Sequence, residues 1–152
     1  MKTFTAVCSM MVVLCLSASD SRAEDKPKAE IPAAGPDGWI SLFNGKDLTG
    51  WEGFEGYWSV VDGAIQGSET KETSKHTHLI LKCSKDNPEK FANFELRYSW
   101  RMVTKTGNSG VQIRGKIDKP AMFHVGGYQA DIDAGNSFTG IIYDEGGVAG
   151  GR

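Results

Sequence analysis

Residues 93–102 place Phe94, Leu96, Tyr98, Trp100 and Met102 at every second position and fill the gaps with Glu95, Arg97, Ser99 and Arg101. A period of two belongs to a strand, and such a segment can hide its apolar side only as part of a sheet. It predicts a half-buried strand. The turn residues Thr106-Gly107-Asn108-Ser109-Gly110 follow, and Val111-Gln112-Ile113-Arg114 repeats the alternation. The expected product is a hairpin.

Shorter pieces of the same kind lie on both sides. Gly38-Trp39-Ile40-Ser41-Leu42-Phe43 is a strand candidate closed by the turn chemistry of Asn44-Gly45-Lys46-Asp47. Residues 57–61 and 64–67 read as two short strands joined at Asp62-Gly63, a strong local hairpin signal. Leu79-Ile80-Leu81 marks a buried strand that ends at Asp86-Asn87-Pro88-Glu89-Lys90. Tyr128, Ala130 and Ile132 alternate with Gln129, Asp131 and Asp133, and residues 140–143 give another strand after Gly135-Asn136. No internal repeat is visible, which argues against propellers and solenoids. The expected class is all-β, with antiparallel strands in a sandwich, jelly roll or barrel.

The first 23 residues differ from the rest. Lys2 precedes an apolar run over residues 4–16 and the small residues that lead to Ser21-Arg22-Ala23. That pattern predicts a secretory signal over residues 1–23, too short for the roughly 20 apolar residues of a membrane span. The expected protein is exported, periplasmic or extracellular, with no membrane attachment after cleavage. Residues 24–37, charged and rich in Ala and Pro, read as a flexible leader to a domain over residues 38–152. Losing Lys2, Arg22 and Asp20 turns 17 basic and 19 acidic residues into 15 and 18. With no basic cluster, nucleic acid and anionic membrane are not expected partners.

Cleavage also removes Cys8 and Cys15 and leaves Cys83 alone, so stability must come from a packed core rather than an internal disulfide. Cys83 reads as a buried or half-buried strand residue, with a reactive thiol as the alternative. The chain finishes at Gly146-Gly147-Val148-Ala149-Gly150-Gly151-Arg152, a loop-like tail with no closing strand. The domain is therefore expected to be incomplete at its C-terminus.

If the three best strands are neighbours, Glu95, Arg97, Ser99, Arg101, Gln112, Arg114, Gln129, Asp131 and Asp133 share one face. Carboxylates, amides and guanidinium forks of this kind pair with vicinal sugar hydroxyls. The other reading is a merely solvated face. Gln129-x-Asp131-x-Asp133 loosely echoes an acidic strand of retaining glycosidases, but an amide at Gln129 cannot form a glycosyl-enzyme intermediate. Asp131 and Asp133 could instead help bind calcium, although two oxygens fall short of the roughly 6–8 that calcium takes. His76, His78 and His124 form no zinc pattern and read as surface or core residues. No cofactor is required by these residues, and a divalent metal is left open. No Gly-x-Ser-x-Gly elbow or phosphate-binding glycine loop is present.

Several motifs stand in order along the chain: residues 38–51, Tyr57-Trp58-Ser59-Val60 with Asp62-Gly63, Asn93-Phe94-Glu95-Leu96, Gly107-Asn108-Ser109-Gly110-Val111 with Arg114, Gly127-Tyr128-Gln129-Ala130-Asp131-Ile132, and Gly140-Ile141-Ile142-Tyr143-Asp144-Glu145. Together they resemble the 3-keto-disaccharide hydrolase family. The resemblance implies a concanavalin-like jelly roll, exported by bacteria, that acts on glycosides bearing a ketone at carbon 3. That ketone acidifies the carbon 2 proton and permits elimination followed by hydration. Such chemistry needs a base near carbon 2 and a cation or donor facing the enolate oxygen. Asp131 is the expected base and Arg114 the expected enolate stabiliser, with Gln129, Asn108, Tyr143, Asp133 and Glu95 as keto-sugar contacts. Asn108 could equally serve turn geometry alone, and Arg114 could pair with a carboxylate on the next strand. The competing classes are a noncatalytic carbohydrate-binding module on the same fold and a structural or adhesive exported domain.

Overall fold

The structure, a computed structural model, describes residues 12–15, 28–69, 76–135 and 137–146. The remainder of the expected signal, residues 16–27 of its end and leader, and the tail over 147–152 lie outside the described residues. Eight strands dominate: β1 Val12–Cys15, β2 Trp51–Glu52, β3 Trp58–Val61, β4 Ala64–Gly67, β5 Leu79–Leu81, β6 Asn108–Lys119, β7 His124–Asp133 and β8 Ile142–Glu145. One short helix, α1 over Lys82–Asp86, and two 3-10 turns at Pro88–Phe91 and Pro120–Met122 complete the described elements. Among the described residues, no helix is long and apolar enough to cross a membrane.

The large sheet runs β2-β5-β1-β6-β7-β8, and β3-β4 form a separate hairpin. Among the described residues, every pairing is antiparallel except the two made by β1, which lies parallel to both β5 and β6. Period-two alternation explains the layering. Leu79, Leu81 and Val111 point to one side of the sheet, where they meet Trp51, Cys83 and Ile65 of β4. Ile80 points to the other side and meets Val125. The fold is thus an all-β arrangement whose small hairpin packs on the large sheet, in keeping with a sandwich. Ile65 is 1% exposed, and truncating such a side chain to Ala costs about 2–5 kcal/mol.

The hairpin at Asp62-Gly63 forms as the sequence predicts. Asp62 and Gly63 have φ of 51° and 73°, two successive left-handed residues whose twist suits a two-residue connection. The pairs Trp58↔Gly67 and Val61↔Ala64 close it in register. Leu79–Leu81 is likewise a fully buried strand.

Four expectations are corrected. Residues 38–43 form no strand: Gly38, at φ 79°, turns the chain, Gly35 N donates to Trp39 O at 2.8 Å, and Leu42 O is taken by the Trp51 indole at 2.9 Å. Cys83 is buried, but in α1 rather than in a strand. The last strand starts at Ile142 because Gly140, at φ 90°, and the Ile141 N to Phe138 O bond at 3.1 Å still belong to the preceding turn.

The fourth correction is the largest. Residues 94–102 lie in no ladder, and Phe94 and Tyr98 stay 41% and 36% exposed. The edge of β6 that faces away from β7 is taken by β1, through Val13↔Gln112 and Cys15↔Gly115. The predicted hairpin partner is therefore already occupied.

Candidate active site

Directly opposed residues of an antiparallel pair point to the same face. The register pairs Asn108 with Asp133, Gly110 with Asp131, Gln112 with Gln129, and Gln129 with Tyr143. Six polar side chains from β6, β7 and β8 consequently share one face. Asp131 sits at their centre and is 2% exposed. Its Oδ1 accepts from Gln129 Nε2 at 2.6 Å and from Asn108 Nδ2 at 3.0 Å. Gln112 Nε2 donates to Val125 O at 3.2 Å.

The other halves of these groups are unmatched. Asp131 Oδ2, Gln129 Oε1 and Gln112 Oε1 are shut off from solvent and have no hydrogen-bond partner among the described residues. A buried acceptor without a donor costs about 1–3 kcal/mol, and more when it is charged. Three such acceptors on one face are left without an internal donor.

Other expected contacts serve other ends. Asp133 spends both oxygens on its own loop, accepting from Gly135 N at 3.1 Å, Ser137 N at 3.2 Å, Phe138 N at 2.9 Å and Thr139 N at 3.0 Å. The Phe138 amide, with help from Ser137 and Thr139, holds its carboxyl below the ordinary range. Arg114 leaves the ladder at a bulge between Ile113 and Lys116, with φ of 52°, and its Nη2 donates to Ala92 O at 3.0 Å. Strict alternation had placed it on the face of Asp131; the inserted residue breaks the alternation.

Glu95 is also apart from Asp131. It is exposed and accepts from Arg97 Nε at 2.7 Å, while Arg97 lies 4.1 Å over the Trp39 ring. These residues line a separate groove of about 1080 Å³ with Phe94 and Tyr98. The structure thus brings together Asn108, Gln129, Asp131 and Tyr143, but neither Arg114 nor Glu95.

Sequence reasoning missed a second polar cluster. His124 Nδ1 stands 2.5 Å from Asp118 Oδ1, and its Nε2 stands 3.5 Å from Glu145 Oε1. His78 meets His124 edge to face at 5.4 Å, donates from Nδ1 to Phe123 O at 3.1 Å, and leaves Nε2 without a partner among the described residues. Burial, reinforced by neighbouring His124, lowers the His78 pKa to about 4. The available signal was the turn at Pro120, which folds Asp118 back beside His124. Among the described residues, no group of three or more His, Cys, Asp or Glu side chains is arranged to hold a metal ion.

Comparison with known proteins bears on this geometry. The sequence profile of the family described as "3-keto-alpha-glucoside-1,2-lyase-like domain" matches residues 38–150. A 3-keto-disaccharide hydrolase of Bacteroides thetaiotaomicron is 34% identical over 84 residues, which cover 49% of this chain and 27% of that protein. The chain therefore spans well under half of that relative's length. No solved structure matches it.

Proposed function

Because this chain belongs to the 3-keto-alpha-glucoside-1,2-lyase-like family, we propose that it forms the sugar-binding and base-carrying part of an exported enzyme that cleaves 3-keto-glycosides. Asp131 is the base. The observation that carries this reading is its buried, unpartnered Oδ2, set beside the equally unpartnered Gln129 Oε1. Oδ2 takes the proton from carbon 2. The electron pair of that bond forms the enolate of the carbon 3 ketone, then the carbon 1–carbon 2 double bond as the glycosidic oxygen leaves carbon 1. The proton held by Asp131 passes to that oxygen and releases the aglycone as an alcohol; water then adds its hydroxyl to carbon 1 and its proton to carbon 2.

Asn108 and Gln129 fix the base through Oδ1, which leaves Oδ2 as the reactive oxygen. Gln129 Oε1 and Gln112 Oε1 accept from sugar hydroxyls. Arg114 does not supply the enolate-facing cation in this arrangement, because its guanidinium is turned to Ala92 O.

Asp131→Asn tests the assignment. Turnover of a 3-keto-disaccharide falls by about 10²–10⁴-fold, the usual worth of a general base, while affinity for the sugar is kept. Unchanged turnover overturns Asp131 as base. Sugar binding without turnover in the unsubstituted protein favours a carbohydrate-binding module instead.

A further inference from the structure

Three observations about one strand position do not fit a finished sheet. β1 makes the only parallel pairs in the described structure, two residues with β5 and two with β6. Parallel pairing is the weaker kind per residue. Next, residues 94–102 carry the clearest strand pattern in the chain, yet their backbone lies outside every ladder. Last, they already lie beside β6: Leu96 packs with the core that contains Val111, and Phe94, Leu96 and Tyr98 border Val111, Ile113 and Arg114.

We infer that the position between β5 and β6 is an exchangeable slot, held by β1 while residues 12–15 are attached and taken by residues 94–102 when β1 is removed or displaced. The occupant is a segment of this chain. It is tied to β6 by the short link over residues 103–107, where Gly107 has φ of 119° and Thr104 Oγ1 donates to Thr106 O at 2.5 Å. A hairpin across that link is antiparallel, and it turns the mixed sheet wholly antiparallel.

Polarity selects the register. Leu96 and Tyr98 belong with Ile113 and Val111 on the apolar side, which sets Arg97 opposite Gln112, Ser99 opposite Gly110 and Arg101 opposite Asn108. A slip of one residue would put Tyr98 and Trp100 against the polar side. In the matched register, Arg97 and Arg101 join the face that carries Asp131. This last consequence rests on the proposed function, since it supplies the enolate-facing cation that Arg114 does not. The exchange itself does not depend on it.

The test is amide hydrogen exchange on the full chain, compared with Val13→Pro and with the processed protein recovered after export. Proline at 13 removes a ladder donor from β1 without touching β6. In the full chain, amides of residues 94–102 exchange fast, whereas in the other two they slow by at least about 100-fold while β6 and β7 stay protected. Residues 94–102 that remain fast overturn the inference. Loss of protection throughout β6 and β7 overturns it too, because β1 would then be an integral strand. Neither readout involves turnover, so failure here leaves the assignment of Asp131 to its own experiment.

Discussion

Gln129 lies across Gly110: a Cβ added at position 110 would stand 2.4 Å from Gln129 Cγ and 2.6 Å from the carbonyl oxygen of Ala130. The glycine leaves the opening through which the Gln129 amide reaches Asp131 Oδ1. Removing a glycine from a strand ordinarily gains a few tenths of a kcal/mol or more through the unfolded chain. Here one obstructing atom is backbone and cannot swing away. Gly110→Ala should destabilise by about 1–3 kcal/mol, as overpacked sites do, and it should also weaken activity by displacing Gln129. Urea unfolding checks the first effect. A stable variant would show that β6 and β7 part freely at this point.

The bulge at Arg114 gives a second prediction. A left-handed non-glycine residue costs about 1–3 kcal/mol, and glycine relieves that strain, whereas a β-branched side chain deepens it. With φ of 52° at Arg114, Arg114→Gly should stay within about 1 kcal/mol of the parent despite losing the bond to Ala92 O. Arg114→Val should fall about 1–3 kcal/mol below it. Both should keep turnover near the parent level, because the guanidinium is turned away from Asp131. A large loss of turnover in a stable Arg114→Gly protein would return Arg114 to the site.

These positions also show what the sequence could reveal. The hairpin at Asp62-Gly63 was legible because its cause is local: two adjacent residues tolerate the left-handed turn, and the flanking strands only have to follow. The shared face of Gln129, Asp131 and Gln112 was legible for a related reason, since alternation survives as long as the ladder is regular. Arg114 failed where regularity failed; nothing in Ile113-Arg114-Gly115 announces an inserted residue. Residues 94–102 failed differently. Their local preference is unmistakable, but pairing depends on which segment holds the edge of β6, a competition that no window of sequence describes. The cluster of Asp118, His124, Glu145 and His78 draws on three strands and the residue just before β5, and left only the Pro120 turn as a hint.

The core offers a third prediction. Ile65 carries the contact between the β3-β4 hairpin and the large sheet, packed with Trp51, Leu79 and Val111. Ile65→Ala removes two methyl groups and a methylene from a site that cannot readily collapse, because β4 is pinned by four register pairs with β3. A loss of about 2–5 kcal/mol is expected from denaturant midpoints at constant slope. A smaller loss would mean that the two layers are loosely joined.

The fourth prediction concerns acid. His78 is buried, its neutral Nδ1–H serves Phe123 O, and its pKa is lowered from 6.5 to about 4, first by burial and then by His124. Between those values the unfolded chain binds a proton at this position that the folded chain refuses. Stability from this group is therefore complete above about pH 6.5 and is lost as pH falls toward 4, by about 3 kcal/mol in all. His124, His76 and Asp118 act on it, Glu145 stands beside His76 and His124, and Asp133, whose carboxyl is held low, adds its own loss only at still more acid pH. The check is urea unfolding from pH 7 to pH 4 on the parent and on His78→Gln, which keeps a donor for Phe123 O but has no titrating ring. The parent should lose stability steeply across that window, and the variant should be flatter by most of the stated amount. Parallel curves would show that the imidazole of His78 takes up its proton without opening the fold.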